Sequence, residues 1–282
     1  MPELPEVETI RRELLPHLRG KIIRRVIIPP DPKGCRLLRR YSSREGFIRR
    51  LTGRKIINVE RRAKYLLFRL DGDRILIVHL GMSGQLLLGA PRRKISPHTR
   101  LILQLAGAVR LCFVDPRKFG EAYLFSEQDG DRRVNPFSLG PEPLSRGYRP
   151  AVLEESLRGR RGPVKTALLD QQVIAGLGNI YTDEALFRAR IHPRRKSSGL
   201  TGKEIDRLFR SIREVLKEAI RLQGTSAADR RYVTASGEPG RFQSRLNVYQ
   251  RKGEPCPCCG TPIGTEKIAG RTAHFCPRCQ KQ

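Results

Sequence analysis

At 282 residues the chain has room for two domains, each with its own core. Its 56 basic against 28 acidic side chains leave a formal charge of +28, which points to a polyanionic partner. Arg and Lys are spread through hydrophobically patterned segments, which argues against a basic tail, and no apolar run approaches the ~20 residues of a membrane span. The amino terminus shows neither the basic region nor the apolar core of a signal peptide, so a cytoplasmic, nucleoid-associated protein without membrane contact is expected. Seven cysteines in such a compartment suggest metal rather than disulfides.

In chain order, Pro5 suits a first helical position, Val7, Ile10, Leu14 and Leu15 mark one apolar face, and Gly20 ends the helix. From Lys21 to about Ser126 the signals are those of strands. Lys21–Ile28, Tyr65–Leu70 and Ile75–Leu80 are examples, the last two joined by the hairpin signal Asp71-Gly72-Asp73. Leu101, Leu103 and Leu105 alternate, Gly107 turns the chain, and Val109, Leu111 and Phe113 resume. This half reads as an antiparallel β-sandwich with the first helix against it. Residues 135–149, rich in Pro and Gly, read as a linker. Helices are then expected over Pro150–Leu157, Pro163–Gln171, Asn179–Arg190 and Thr201–Leu222, the last opened by a Thr201/Glu204 capping box. Gly224–Arg245 reads as a long loop, and loops of that length tend to be functional or disordered.

The first residues, Met1-Pro2-Glu3-Leu4-Pro5-Glu6-Val7-Glu8, admit a chemical reading. Removal of Met1 would leave Pro2 as a free secondary amine, and an α-amino group titrates near 7.7–8.0, far below a lysine. Its attack on a sugar C1′ would give an iminium ion, an electron sink of the kind amine catalysis uses. Glu3 and Glu6 could move protons nearby. Taken alone, the segment reads first as helix punctuation.

Cys256-Pro257-Cys258-Cys259 and Cys276-Pro277-Arg278-Cys279 give C-x₂-C, a spacer of 16 residues and C-x₂-C, the pattern of a four-thiolate zinc site. With all four positions filled by thiolate the metal would be structural, and Cys258 is left over. Between the knuckles, Lys267, Arg271 and Thr272 suit phosphate contacts at a hairpin tip; a zinc ribbon with no ligand is the plainer alternative. Gly176-Leu177-Gly178-Asn179-Ile180-Tyr181 could seat a phosphate at a helix start, with charge from Lys165, or simply connect two helices. Arg61-Arg62-Ala63-Lys64-Tyr65 sets Lys64 where a strand begins. His79-Leu80-Gly81-Met82-Ser83-Gly84 and Asp115-Pro116-Arg117-Lys118-Phe119-Gly120 are turns bearing apolar and Arg side chains, the types inserted into a base stack when a base is flipped.

Taken together, PELPEVE, RRAKYL, HLGMSG, DPRKFG, GLGNIY and the tetra-Cys ending, in this order along essentially the whole chain, resemble the formamidopyrimidine-DNA glycosylase family, bacterial base-excision repair enzymes for oxidised purines. The resemblance implies an α+β multidomain fold. Its parts would be an amino-terminal β-sandwich with flanking helices (1–134), a linker (135–149), a helix–two-turn–helix domain (150–224), a lesion loop and connector (225–249) and a zinc β-hairpin finger (250–282). A monomer would hold duplex DNA with an oxidised purine in the cleft between domains, with one structural zinc ion on Cys256, Cys259, Cys276 and Cys279 and no catalytic metal. Pro2 would be the nucleophile, Glu3 the proton donor and acceptor, Glu6 a supporting carboxylate, and Lys64 a contact to the lesion or its phosphate. Met82, Arg117 and Phe119 would fill the gap left by the flipped base, with His79 in the same DNA-contacting set. Asn179, Arg271, Lys165 and Tyr249 would grip phosphates, Arg271 also assisting the second elimination. The Gly224–Arg245 loop would close over the 8-oxoguanine or formamidopyrimidine.

Two departures stand out. Arg241 occupies a loop position where an aromatic is expected, which bears on lesion preference, and Cys258 and Cys112 are extra thiols. The related endonuclease VIII, for oxidised pyrimidines, typically begins Pro-Glu-Gly-Pro, whereas Leu4 and the Met82/Arg117/Phe119 set favour the purine enzyme. A non-catalytic zinc DNA-binding protein on the same scaffold is opposed by the intact Pro2, Glu3 and Lys64.

Overall fold

The computed structural model describes residues 1–30, 36–38, 43–90, 94–126, 138–226 and 232–281. Cys35, part of the expected linker and the centre of the expected lesion loop lie outside these residues. The chain forms two compact units: Met1–Pro136 with Leu222–Gln243, and Phe137–Arg221 with Ser244–Gln282.

The first unit opens with helix α1, Leu4–Leu18. Leu4 takes the first helical position and Pro5 the second, one residue earlier than the proline rule alone suggests. After Leu18 the chain leaves the helix through Arg19, and Gly20 adopts φ +82°, the left-handed conformation that ends many helices. Eight short strands follow: β1 Ile23–Ile27, β2 Ile56–Arg62, β3 Tyr65–Leu70, β4 Arg74–His79, β5 Gln85–Gly89, β6 Thr99–Leu105, β7 Val109–Val114 and β8 Glu121–Phe125. A second helix, α2 (Arg44–Leu51), precedes β2 and is capped by Ser43, whose hydroxyl accepts the Gly46 N–H at 3.0 Å.

The strands make two four-stranded sheets, β1-β6-β7-β5 and β2-β3-β4-β8, with antiparallel pairing throughout. Leu66 and Phe68 of one sheet and Leu101, Leu103, Leu111 and Phe113 of the other share a core with Val7, Ile10, Leu14 and Leu18 of α1. This is the expected sandwich, and packing rather than propensity holds α1 to it. Leu222–Gln243 belongs to this unit: Tyr232 and Ala235 lie in the same core.

The second unit contains α3 Pro150–Leu157, α4 Val164–Leu169, α5 Asn179–Ala189 and α6 Gly202–Arg221. Each falls within two residues of the helix expected from periodicity and caps. Thr201 and Glu204 exchange hydrogen bonds at the start of α6, the Thr201 N–H to Glu204 Oε2 at 2.8 Å and the Glu204 N–H to Thr201 Oγ1 at 3.3 Å. The chain ends in a two-stranded hairpin, β9 Gly264–Ile268 and β10 Arg271–Phe275.

Candidate active site and metal centre

In the first unit the capping box of α1 does more than start a helix. Glu6 Oε2 accepts the Glu3 N–H at 2.8 Å, and Glu6 Oε1 accepts the Thr225 N–H at 2.8 Å. One carboxylate thus ties the amino-terminal segment to a stretch more than two hundred residues away. A side chain at Gly224 would put its Cβ 2.8 Å from Glu6 Oε1, so only glycine, here at φ +83°, lets the backbone approach. Pro2 is buried and Glu3 only 3% exposed, while Met1 is exposed.

The flanks of the expected lesion loop are well built. Ser226 Oγ donates to the Tyr232 carbonyl at 2.7 Å and accepts the Gly240 N–H at 2.9 Å, and the Phe242 N–H reaches the Gly224 carbonyl at 2.9 Å. Glu13 of α1 holds the same stem, accepting from Gln223 Nε2 at 3.4 Å and from the Ser236 N–H at 3.2 Å. Burial, with the Glu6 charge beside it, pushes the Tyr232 hydroxyl well above its ordinary range. It therefore stays protonated and donates to the Gln223 carbonyl at 2.9 Å. Arg241 is exposed, beside the fully buried Phe242.

Lys64 sits in the tight turn between β2 and β3, after Ala63 at φ +51°, and is half-buried. The turn is anchored from below. Arg61 donates to the Ala63 carbonyl at 3.1 Å and pairs with Glu8 of α1 at 3.2 Å. Burial raises the Glu8 carboxyl, but hydrogen bonds from Arg11 and Arg12 and the charges of Arg11 and Arg61 outweigh it and hold it at about 2.

Two turns beyond the sheet ends carry Met82, Arg117 and Phe119. Met82 is 37% and Phe119 43% exposed, and the Arg117 guanidinium lies 5.0 Å from the centre of the Phe119 ring. Asp115, buried, locks the turns together, accepting from Ser83 Oγ at 2.8 Å and from the Gly120 N–H at 2.7 Å. Gly81 is at φ +63°, and a Cβ there would stand 2.5 Å from the Phe119 carbonyl carbon. His79 packs its ring 4.8 Å from that of Tyr65 and accepts the Gly81 N–H at 3.2 Å.

In the second unit the Gly176–Asn179 turn is ordered by Gln171, which accepts the Gly176 N–H at 2.9 Å and donates to the Leu177 carbonyl at 2.8 Å. Asn179 opens α5 and donates to the Thr272 carbonyl at 3.0 Å; its Oδ1 is buried with no hydrogen-bond partner. Lys165 is fully buried: its Nζ lies 2.5 Å from Asp183 Oδ1 and donates to the Thr272 carbonyl at 2.9 Å. Asp183 Oδ2 accepts the His274 N–H at 3.0 Å. Lys165, placed by the sequence among phosphate-gripping groups, is thus turned inward and holds α5 to the hairpin. Glu184 accepts the N–H groups of Asn247, Val248 and Tyr249 at 2.9–3.0 Å, fixing Tyr249, whose ring lies 5.0 Å from that of His274. Arg271 is exposed beside the two-residue turn Ala269-Gly270, both at positive φ as a hairpin turn of this twist requires.

The sulfur atoms of Cys256, Cys259, Cys276 and Cys279 lie within 4.8 Å of one another, with Cys256–Cys279 at 3.9 Å and Cys259–Cys276 at 3.5 Å. Zn–S bonds of about 2.3 Å in a tetrahedron put sulfurs about 3.8 Å apart, so the thiolates fit zinc. Backbone N–H groups of Cys258 and Cys279 point at Cys256 and Cys276 sulfur, each at 3.4 Å, and Phe187, Val248 and Ile263 shield the cluster. The extra thiol of Cys258 is exposed and stands outside the cluster. Four thiolates filling the coordination shell make this one structural zinc site.

Sequence reasoning missed the residues that position this machinery. Glu8, Glu13, Asp115, Asp183, Glu184, Thr225 and Tyr232 are mostly buried polar groups. Their one signal is being charged or polar within apolar-patterned segments.

Comparison with known proteins accounts for most of the chain in three parts. Residues 1–122 match the formamidopyrimidine-DNA glycosylase N-terminal domain, residues 139–231 its H2TH domain, and residues 253–282 the zinc finger found in Fpg and isoleucyl-tRNA synthetase. The chain is 45% identical to the formamidopyrimidine-DNA glycosylase of Geobacillus kaustophilus, with 100% of both proteins covered. It is 46% identical to that of Thermus thermophilus, with 99% of this chain and 98% of that one covered. The crystal structure of the Thermus thermophilus MutM (Fpg) protein superposes with a TM-score of 0.86 at 44% identity, covering 99% of this chain and 98% of that one. A complex of Lactococcus lactis Fpg with DNA containing an abasic site superposes with a TM-score of 0.88 at 38% identity, covering 99% of this chain and 100% of that one. The chain belongs to the formamidopyrimidine-DNA glycosylase family.

Proposed function

We propose that Pro2, freed by removal of Met1, is the nucleophile with which this DNA glycosylase excises oxidised purines and cleaves the abasic site. Excision and lyase chemistry are family activities, and duplex DNA carrying the lesion is the partner. The observation that carries the assignment is the double grip of Glu6. It fixes the amino-terminal segment at the Glu3 N–H and the loop stem at the Thr225 N–H, joining the attacking end to the segment proposed to cover the flipped base.

The proline nitrogen attacks C1′ and the damaged base leaves with the electron pair of the glycosidic bond. Glu3 gives a proton to the sugar ring oxygen as the ring opens and the iminium forms. That ion acidifies the C2′ proton, whose removal expels the 3′ phosphate; loss of the C4′ proton from the conjugated iminium so formed then expels the 5′ phosphate. Lys64 on its anchored turn contacts the lesion or its phosphate, and Arg271 contacts a phosphate and supplies a proton for the second elimination. Met82, Arg117 and Phe119, standing out from turns that Asp115 fastens, occupy the place of the flipped base, with His79 holding the Met82 turn. Asn179 and Tyr249 contact phosphates, and Lys165 positions the strand carrying Arg271. The working division is a sandwich domain (1–134), linker (135–149), helix–two-turn–helix domain (150–224), lesion loop and connector (225–249) and finger (250–282). We place the enzyme, as a monomer, in the bacterial cytoplasm at the nucleoid; among the described residues no helix is long and apolar enough to cross a membrane.

Borohydride reduction on an 8-oxoguanine duplex tests the assignment. A covalent complex should form with the processed protein and vanish when Pro2→Gly is made or Met1 is retained. Normal nicking by the Pro2→Gly protein would rule out Pro2 as the nucleophile.

A further inference from the structure

Positive charge is concentrated at one end of the sandwich that the glycosylase chemistry does not use. Residues 19–25 and 49–55 hold eight basic side chains between them and no Asp or Glu. The fold brings the two stretches together. The Ile23 N–H donates to the Arg54 carbonyl and the Gly53 N–H to the Ile23 carbonyl, each at 2.8 Å, and Ile22 and Lys55 form an antiparallel bridge. The register of β1 shifts between Ile23 and Arg25, and Arg24 and Arg25 are both exposed, where regular alternation would have turned one of them inward. Arg19, Arg49 and Lys55 are exposed as well, and Lys21 is half-buried.

A solvated basic face ordinarily has acids among its bases. Elsewhere in this unit Glu8 meets Arg11, Arg12 and Arg61, and Glu60 meets Arg69. Here Arg19, Lys21, Arg24, Arg25, Arg49 and Lys55 have no carboxylate partner among the described residues, while Arg54 meets Asp71 at 3.8 Å. A helix end favours Arg49, and a sheet edge favours charges such as Arg24 and Arg25. Neither preference accounts for α2 packing against β1 so that the unpaired charges share one end. The location also sets this surface apart from the turns proposed to meet the lesion. β3 leaves the Lys64 turn at Tyr65 and ends at Leu70, next to Asp71, whose N–H donates to the Lys55 carbonyl at 3.1 Å. Its 6 residues, at about 3.3 Å each, set the basic end about 20 Å from Lys64.

We propose that this end of the sandwich is a second surface for double-stranded DNA, which takes the backbone of a separate duplex while the lesion-bearing one is held at the Lys64 end. Exposed Arg and Lys contact phosphates without reading sequence, and the release of counterions drives the binding. Neither stretch contains an aromatic side chain, so neither offers the stacking platform that a single strand uses. Duplex DNA is favoured over an acidic protein because DNA is the polyanion that the family handles. A molecule that holds two duplexes can pass from one to the other without a free interval in solution.

The full zinc-loaded chain, saturated with an uncleavable abasic-site duplex and then titrated with a fluorescent undamaged duplex, gives the test by anisotropy. A ternary complex should form at low salt. The triple variant Arg24→Ser, Arg25→Ser, Arg49→Ser should weaken the second duplex by at least about tenfold and flatten its salt dependence by roughly one unit per lost phosphate contact. Its melting midpoint and its single-turnover excision of 8-oxoguanine should stay as in the parent. A control triple variant, Lys203→Ser, Arg210→Ser, Lys217→Ser, removes the same charge from exposed positions of α6 and should keep the second duplex. In stopped flow, unlabelled duplex should speed the release of a labelled one from the parent in proportion to its concentration, and should not do so from the first variant. Absence of second-duplex binding in the parent, equal loss in both triple variants, or tighter binding of polyglutamate of matching charge would overturn the proposal. Failure of borohydride trapping, with the ternary complex intact, would count only against the glycosylase assignment.

Discussion

The amino-terminal end of the first unit and the hairpin end of the second are built to opposite specifications. Pro2 and Glu3 are buried, whereas Arg271 stands out on a hairpin turn. A nucleophile and its proton shuttle must be shielded and aimed; a phosphate contact must reach outward and carry charge. Yet both ends are held the same way, by buried carboxylates that collect backbone N–H groups. Glu6 does this for Glu3 and Thr225, and Asp183 and Glu184 do it for His274 and for Asn247 to Tyr249. Positioning is thus assigned to buried acids in both units. On the proposed assignment, what differs is whether the positioned group faces the reaction or the polyanion.

The largest expected effect strikes the first end alone. Glu3→Gln should lower turnover by about 10²–10⁴-fold, the usual worth of a general acid–base group, while affinity for an uncleavable abasic-site duplex stays as in the parent. If affinity fell in step with turnover, Glu3 would be a positioning residue, and the contrast between chemistry and grip would fail. Removing zinc with a chelator should do the reverse. DNA affinity should drop and its salt dependence flatten by about one unit for each phosphate that the finger no longer neutralises, while circular dichroism keeps the strand signal of the sandwich. Disappearance of the strand signal on chelation would mean the two units are not separately held.

Asp183→Asn sharpens the comparison inside the second unit. The change leaves the fully buried ammonium of Lys165 without its charged partner, at a cost of about 3–5 kcal/mol in urea unfolding. Adding Lys165→Met should recover much of that stability. A double variant as unstable as the single one would place the damage in the broken hydrogen bond to His274 instead. Asp115→Ala, which orphans Ser83 Oγ and the Gly120 N–H, should cost less, about 1–3 kcal/mol, and slow excision by loosening the turns of Met82 and Phe119. Normal excision with lowered stability would separate those turns from base flipping.

Much of this scaffold was legible in the sequence because it rests on local rules. A strand-like run located β3, alternation located β6 and β7, caps located α6, and the spacing of Cys256, Cys259, Cys276 and Cys279 named the metal centre. The Asp71-Gly72-Asp73 signal likewise marked its hairpin, with Gly72 and Asp73 both at positive φ. What was not legible depends on partners far away in sequence. Nothing local to Leu222–Gln243 says that it packs with the first unit, because its anchors are Glu6 and Glu13 of α1. Lys165 failed to declare its burial for the same reason: a lysine in a basic chain looks like a phosphate contact until Asp183, one helix later, is brought against it.

The smallest effect tests whether the acids of α1 hold the first unit as charges or merely as shapes. Glu8 meets Arg11, Arg12 and Arg61 at 2.8–3.2 Å and titrates at about 2, below the ordinary 4.5. A carboxyl whose folded pKa is depressed adds stability above its unfolded pKa and loses it as pH falls toward the folded value. The parent should therefore be more stable than Glu8→Gln at neutral pH, and the gap should close between about pH 4.5 and pH 2. Thermal midpoints of both proteins at matched pH give the comparison, with low salt widening the gap at neutral pH. The Arg61 contact reaches the Lys64 turn through the Ala63 carbonyl, so excision should slow in the variant before the fold is lost. A gap that stays constant from pH 7 to pH 2 would mean that Glu8 holds its arginines by geometry alone.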